Sequence, residues 1–572
     1  MQQPEQVRAE LARRGPLAEA VERFKAAPPG VQVLGGVIAL VLVGGVAALG
    51  LSLGDDESAG VAVDNSPDAV ADGPEVEQPA EDDDGVAVDV DAEADGADGA
   101  DASGEDVEAD GSGEAASAST GAGSEGAGGN GGSGGEQQPV AAGCEGVALS
   151  ATDRGVTEDE ILIGVLIPNL GPLADAGFDV GVDVDHEPIM EAWLEELNRD
   201  GGVACRQVRD VKVGFDVLSV DTMQQACREL TQDHEVFAVV TAGGFDSVAQ
   251  RCLAEDHQTP FINPDAQPAG WYEAGAPYLW STFMDKDRMH RNHMRWLVES
   301  GTIEVDDGPL DEGHTVGVIY HGIPNVGPSV EDALLPELDR LGVEPAEVIR
   351  LSSDDEQALA QINSAVLQMR SSGVDFVIFP MNLIFKTQFM QVAEQQNYFP
   401  EYTDSDHYFG CADFVTATYP AASFDGTTCV TATFSGVQEE QLMQRPAQRE
   451  YRAYGREVFE RTNPGGYESD GRNEEQAEAM EGIHLSLGTM LLLWAEAADR
   501  VDPEQLTREA WGHEMGETGR FDKTIVSPRL TFTHDKWDGP DEIAIVQWFA
   551  DAGDGFEARM FRQIRDFFGA FF

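Results

Sequence analysis

Between Val156 and Phe549, short apolar runs alternate with segments of helical periodicity, and the series starts twice. "ILIGVLI" precedes "EPIMEAWLEELNRDGG", "VKVGFDVLSV" precedes "TMQQACRELTQD", and "VFAVVTAG" precedes "DSVAQRCLAEDHQ" and then "PFINP". From "HTVGVIYHG" a second series follows: "AEVIRLSS" before "DEQALAQINSAVLQMRSSG", "VDFVIFPM" before "IFKTQFMQVAEQQNYFP", then "YTDSDHYFG" and "TTCVTATFSG". A strand that is apolar throughout must be covered on both faces, and strands alternating with helices build βαβ units around a parallel sheet. The predicted fold class is therefore α/β, with two lobes built on parallel sheets. A later helical stretch, "NEEQAEAMEGIHLSLGTMLLLWAEAADR", and late strands, "RLTFTH" and "IAIVQWF", return the chain to both lobes through a multi-strand hinge. The expected two-lobed domain covers 143–549. Lobe 1 is 156–284 plus 440–515, lobe 2 is 285–439 plus 516–549, and 550–572 is a C-terminal tail.

The part before this domain is of a different kind. Residues 26–54 carry no charge, and "VQVLGGVIALVLVGGVAALGLSLG" is long enough to cross a hydrocarbon core, which takes about 20 residues. Five bases precede it, from Arg8 to Lys25, and none follows until Arg154. That asymmetry predicts a short cytoplasmic segment at 1–28, a transmembrane signal-anchor helix at 29–54 and everything later outside the cell. A cleaved leader is the alternative. Its apolar core would be shorter, about 7–15 residues, and would end in a small-residue site that "AALGLSLG" lacks. Residues 55–142 hold acids but no base and no aromatic, so they cannot bury enough apolar surface to offset their ordering entropy. They are expected to form a disordered tether.

The whole chain carries 105 acids against 35 bases, a formal charge of -70. Phosphate backbones need Lys and Arg, so nucleic acid is excluded as a partner. No G-x-S-x-G elbow or phosphate-binding G-x-x-x-x-G-K-[ST] loop occurs, and "HEPIM" and "HEMGE" each lack the second His of H-E-x-x-H. The expectation is a protein that is not an enzyme, with no cofactor and no metal; a hydrolase is the least favoured alternative. "KDRMHRNHMR" at 286–295 is a basic island, read as the solvated outer face of a helix, with partner docking as the alternative.

Several strings resemble the type I periplasmic solute-binding proteins, the leucine/isoleucine/valine-binding family. They are "VTEDEILIGVLIPNLGPLADAG", "ELNRDGGV", "ACRELTQDHEVFAVVTAGG" and "QTPFINPDA". The resemblance extends over about Val156 to Phe549 and lies in the succession of units more than in any one motif. It implies the type I periplasmic-binding fold, two Rossmann-like lobes closing on a small molecule, and delivery of that molecule to an ABC-type permease. A tethered sensor or scaffold of the same fold is the alternative.

In open α/β sheets, ligands sit beyond the carboxyl ends of the strands. That rule selects Asn169 and Gly171 after the first strand, Phe245, Asp246 and Ser247 after the third, and Asp265, Ala266 and Gln267 after the fourth. In the second lobe it selects Tyr320, His321, Met381, Asn382, Asp404 and Asp406. Ser247 and Asp246 have capping of the next helix as an equal alternative. Amino-acid-binding members of the family hold the ligand carboxylate with a hydroxyl-rich loop. The corresponding positions here read "GGFDS" and "DAQ", a departure that puts an amino-acid ligand in doubt. Six cysteines, all after the apolar segment, allow 15 pairings. Proximity and placement favour Cys411 with Cys429 and Cys227 with Cys252, leaving Cys144 for Cys205.

Overall fold

The computed structural model describes residues 144–172, 184–245, 247–303, 313–406, 410–416, 419–434, 442–472, 474–550 and 560–569. The expected cytoplasmic segment at 1–28, anchor at 29–54 and tether at 55–142 lie outside the described residues, as does Asp246. Among the described residues, no helix is long and apolar enough to cross a membrane.

Five strands form the first sheet: β1 (Glu160–Asn169), β2 (Gln207–Asp216), β3 (Ala238–Thr241), β4 (Phe261–Asn263) and β5 (Leu279–Ser281). Their order is 2-1-3-4-5 and every pairing is parallel. The second sheet repeats that order with β6 (Val316–His321), β7 (Glu347–Leu351), β8 (Phe376–Ile378), β9 (Glu401–Ser405) and β10 (Thr428–Thr431), running 7-6-8-9-10. A two-stranded antiparallel sheet pairs β11 (Gly519–Phe521) with β12 (Leu530–Phe532). Finally, β13 (Glu542–Phe549) and β14 (Met560–Gly569) extend the second sheet antiparallel beyond β10. Both lobes are thus doubly wound units of the same strand order, as the repeated sequence pattern predicts.

Seven helices matter below: α1 (Glu187–Asn198), α2 (Lys286–Glu299), α3 (Asp355–Ser371), α4 (Leu383–Gln395), α5 (Pro446–Thr462), α6 (Glu474–Arg500) and α7 (Arg508–Gly516). The first lobe's main apolar cluster joins Ile161, Ile163 and Val165 of β1 to Trp193 of α1, Val458 and Phe459 of α5 and Leu487, Leu491 and Trp494 of α6. α6 is apolar enough to serve as that lobe's central helix: Leu491, Leu493 and Trp494 are all buried. Trp193 crosses the interface, its indole N–H donating to the His484 carbonyl at 2.8 Å and its ring stacked on the His484 imidazole. In the second lobe, Ile362, Val366 and Met369 of α3 and Phe385 and Phe389 of α4 cover one face of the sheet.

The structure departs from the sequence pattern at two boundaries. Residues 516–549 do not all belong to the second lobe. Phe521, Leu530 and Phe532 pack into the first lobe's cluster beside Trp280, Trp511 and Met515, because the β11–β12 hairpin turns its apolar residues onto that core. Nor is 550–572 merely a tail, since Met560–Gly569 pairs along the length of β13, from Phe549↔Met560 to Glu542↔Gly569. Without it, β13 would expose an unpaired row of backbone groups. "MFRQIRDFFG" gives no clean alternation, which is why the sequence pattern does not mark it as a strand.

The disulfides are Cys144–Cys205, Cys227–Cys252 and Cys411–Cys429, the three pairs favoured from the sequence.

Candidate functional site

Three segments carry the chain between lobes. The first runs from β5 through Phe283 and Met284 into α2, the second follows β10 at Ala432 and Thr433, and the third leads through Asp538 into β13. They are stitched together. Ser281 bridges to Asp538, with its N–H donating to the Trp537 carbonyl at 2.9 Å. Thr431 pairs with Ala544, and the Phe434 N–H donates to the Val526 carbonyl at 2.9 Å. The Asp285 N–H donates to Asp538 Oδ2 at 3.0 Å, and Arg288 pairs with the same carboxylate. Burial pushes the Asp538 carboxyl up, but Lys536 and Arg288 more than reverse this and hold it below the usual range. Asp285, buried beside that charge, is pushed well up.

At this junction residues of both lobes close on a narrow crevice with no room for a water molecule. Ala266, from the loop after β4, faces Asp406, from the end of β9. Phe283 and Met284 of the first crossing, Met289 of α2, and Ala432 and Thr433 of the second crossing complete the wall. The lining is mostly apolar, with one carboxylate. Asp406 Oδ2 accepts from Thr431 Oγ1 at 2.7 Å and from Thr433 Oγ1, so both hydroxyls steady it at the rim.

The other strand-end residues have varied fates. Asn169 and Gly171 are exposed at the end of β1, where Asn169 Oδ1 accepts from the Gly171 N–H at 3.1 Å. Gly243 and Gly244 turn the chain after β3 at φ 108° and 73°, a conformation open to glycine. Asp265 is buried and accepts the Phe245 N–H at 3.1 Å, fixing the loop after β3 to the loop after β4. Gln267 is buried; its N–H donates to Tyr272 and its carbonyl accepts the Lys286 N–H. His321 is buried against Phe385, with Nε2 3.3 Å from Asp355 at the start of α3. Burial lowers its pKa, and Asp355 opposes that shift.

Six of the expected residues are engaged within their own lobe. Phe245 is fully buried, edge-on to Phe215 and Phe261. Ser247 accepts the Ala249 N–H at 3.1 Å at the start of a helical turn. Tyr320 sits in the core beneath α2 and donates to Glu331 Oε1 at 2.9 Å; burial first, then that carboxylate, pushes its pKa up to about 12. Met381 is core. Asn382 caps α4, its Oδ1 accepting from the Ile384 and Phe385 N–H groups. Asp404 is held by Lys386 of α4 at 2.6 and 2.7 Å, with both side chains almost wholly buried. Burial pushes its carboxyl up against the pull of that ammonium.

The basic island is also not a solvated face. Lys286, Asp287, His290, Asn292 and His293 are buried where α2 leaves the hinge. Lys286 Nζ donates to the Asn325 carbonyl at 2.9 Å, and His293 Nε2 lies 2.7 Å from Thr403 Oγ1 of β9. Burial, then the Lys386 charge, lowers the His293 pKa to about 3. The available signal was position: the island begins at the first lobe boundary, immediately after the crevice residues Phe283 and Met284.

The periplasmic binding protein family profile matches residues 160–548. Among solved structures, the chain is similar to a periplasmic binding protein type 1 from Bordetella pertussis Tohama I, with a TM-score of 0.51 and 15% identity over 71% of this chain and 100% of that one. It is also similar to a fatty acid ABC transporter substrate-binding protein from Thermomonospora curvata, with a TM-score of 0.50 and 16% identity over 73% of this chain and 94% of that one. No curated protein matches the chain significantly in sequence.

Proposed function

The chain belongs to the type I periplasmic binding proteins, and from that premise we propose that it captures a small molecule between its two lobes outside the cell and hands it to an ABC-type permease. The observation that carries this reading is the closed crevice that Ala266 of one lobe and Asp406 of the other line together, at the carboxyl ends of both sheets and beside three crossing segments. Hinge rotation about those segments would open and close it.

The lining narrows the ligand class. Phe283, Met284, Met289 and Ala432 suit an apolar body, while Asp406 suits a cationic or hydrogen-bond-donating end. A free carboxylate at Asp406 would be repelled, which disfavours a simple amino-acid or fatty-acid headgroup there. The site offers positioning without a nucleophile–base pair, so the proposed role is binding and not catalysis. The apolar segment 31–54, with bases only on its N-terminal side, would hold the domain to the cell surface through the acidic tether.

The test is mass spectrometry of small molecules released when the purified chain is denatured. One compound at about one equivalent, which rebinds the refolded protein, supports the reading; a chain that releases nothing and binds no member of a metabolite library contradicts it.

A further inference from the structure

We propose that His513, Glu517 and His534 form a divalent-metal site of the zinc type on the first lobe. The three side chains bring donor atoms within 4.8 Å of one another. His513 lies in the last turn of α7 and Glu517, four residues on, is its C-cap, so the two stand about one turn apart. His534 comes from the turn after β12. Its Nε2 lies 2.7 Å from Glu517 Oε1, and its ring stacks on the His513 ring with centroids 4.9 Å apart.

Three features favour a metal over an incidental surface cluster. The first is the donor set: two imidazoles and one carboxylate suit Zn²⁺, which commonly takes three such protein ligands and leaves a fourth position for water. All three residues are exposed, so that position faces solvent. The second is a space reserved for the ring. A Cβ at Gly516 would stand 2.3 Å from His534 Nδ1, so a side chain there would drive His534 off the helix. The third is competition. All six cysteines are in disulfides, so no thiolate draws the metal elsewhere. "HEMGE" lacks the second His of a helical H-E-x-x-H motif; here that His arrives from a hairpin 21 positions along the chain from His513. A bound ion would tie α7 to the segment that runs from His534 through Lys536 and Asp538 into the third crossing.

The experiment is calorimetric titration of the full-length chain with ZnCl₂, in millimolar MgCl₂ to occupy the many other carboxylates. The expected result is one saturable equivalent of zinc, weakened at least about tenfold by each of His513→Ala, His534→Ala and Glu517→Gln. Gly516→Ala should weaken it through displacement of His534. The three ligand variants are at exposed positions, and circular dichroism in EDTA should show each folded as the parent is. Absence of a saturable equivalent in the parent, or its survival in the folded His513→Ala/His534→Ala double variant, overturns the proposal.

Discussion

Replacing Lys386 with Met removes the ammonium that holds Asp404 while roughly preserving side-chain volume. Lys386 Nζ lies 2.7 and 2.6 Å from the two Asp404 oxygens, and both side chains are about as buried as any in the second lobe. At an effective dielectric constant of about 20, two charges this close attract by roughly 6 kcal/mol. Part of that is offset by the cost of keeping the ammonium from water, and removing one partner of such a pair typically costs about 3–5 kcal/mol. The stranded carboxyl also gives the variant a pH signature. Burial already raises the folded-state pKa of Asp404 above its unfolded value of 3.8, and losing Lys386 raises it further. A folded state that holds a proton the unfolded state releases loses stability as pH rises between those two values. Acidification therefore recovers about 1.4 kcal/mol per pH unit in that window. Guanidinium chloride unfolding, followed by tryptophan fluorescence, should show a deficit of about 4 kcal/mol at pH 7 that shrinks by about 2–3 kcal/mol at pH 5. Lys386→Met/Asp404→Leu should restore most of the loss, since it strands no charge. A Lys386→Met deficit below about 1 kcal/mol, or one equal at both pH values, refutes the buried pair. Loss of ligand binding at unchanged stability would instead return Asp404 to the cleft.

Gly488→Ala should destabilise the first lobe by about 1–3 kcal/mol or more, because its Cβ would stand 1.9 Å from the Trp193 ring; thermal melting checks this, and an unchanged midpoint contradicts it. Burial holds His484 neutral, with a pKa of about 3, and His293 likewise. Their folded values lie below the unfolded 6.5, so the unfolded state binds more protons. Stability is then retained above pH 6.5 and lost as pH falls, by up to about 1.4 kcal/mol per unit for each ring. His484→Gln should flatten the pH 7 to pH 5 change in melting temperature, and an unaltered slope speaks against the assignment. Glu481, buried but clasped by Arg452 and Arg456, has its pKa lowered to about 2, so its contribution is present above pH 4.5 and lost as pH falls toward 2. Glu481→Gln should reduce stability at pH 7 by about 1–3 kcal/mol, measured by chemical unfolding; a variant as stable as the parent refutes the clasp.

The architecture was legible because it is written in local periodicity. "ILIGVLI" and "VFAVVTAG" can only be two-faced strands, and the restart at "HTVGVIYHG" marks a second sheet of the same order. The site was legible only as a region. Lys386 and Asp404 are 18 positions apart, and Asp406 finds its threonine 25 positions on; no local pattern encodes those partners. Beyond a strand's end the loop sets each side chain's direction, and Phe245 and Met381 turn into the core there. Lys286, His290 and His293 were misread because charged residues on a helix normally face water. Here α2 leaves the hinge buried, with Lys286 donating to the Asn325 carbonyl and His293 against Thr403 of β9.

The most direct measurement of the central claim is an affinity comparison. The small molecule released from the parent chain is titrated into the parent and into Ala266→Trp, whose indole would keep the lobes from closing where Ala266 and Asp406 line the crevice. Binding weakened at least about 100-fold, in a variant that still melts cooperatively, is the expected result, since losing more than about 2.7 kcal/mol is what a blocked site requires. Equal affinity in the two proteins would place the molecule elsewhere and contradict capture between the lobes.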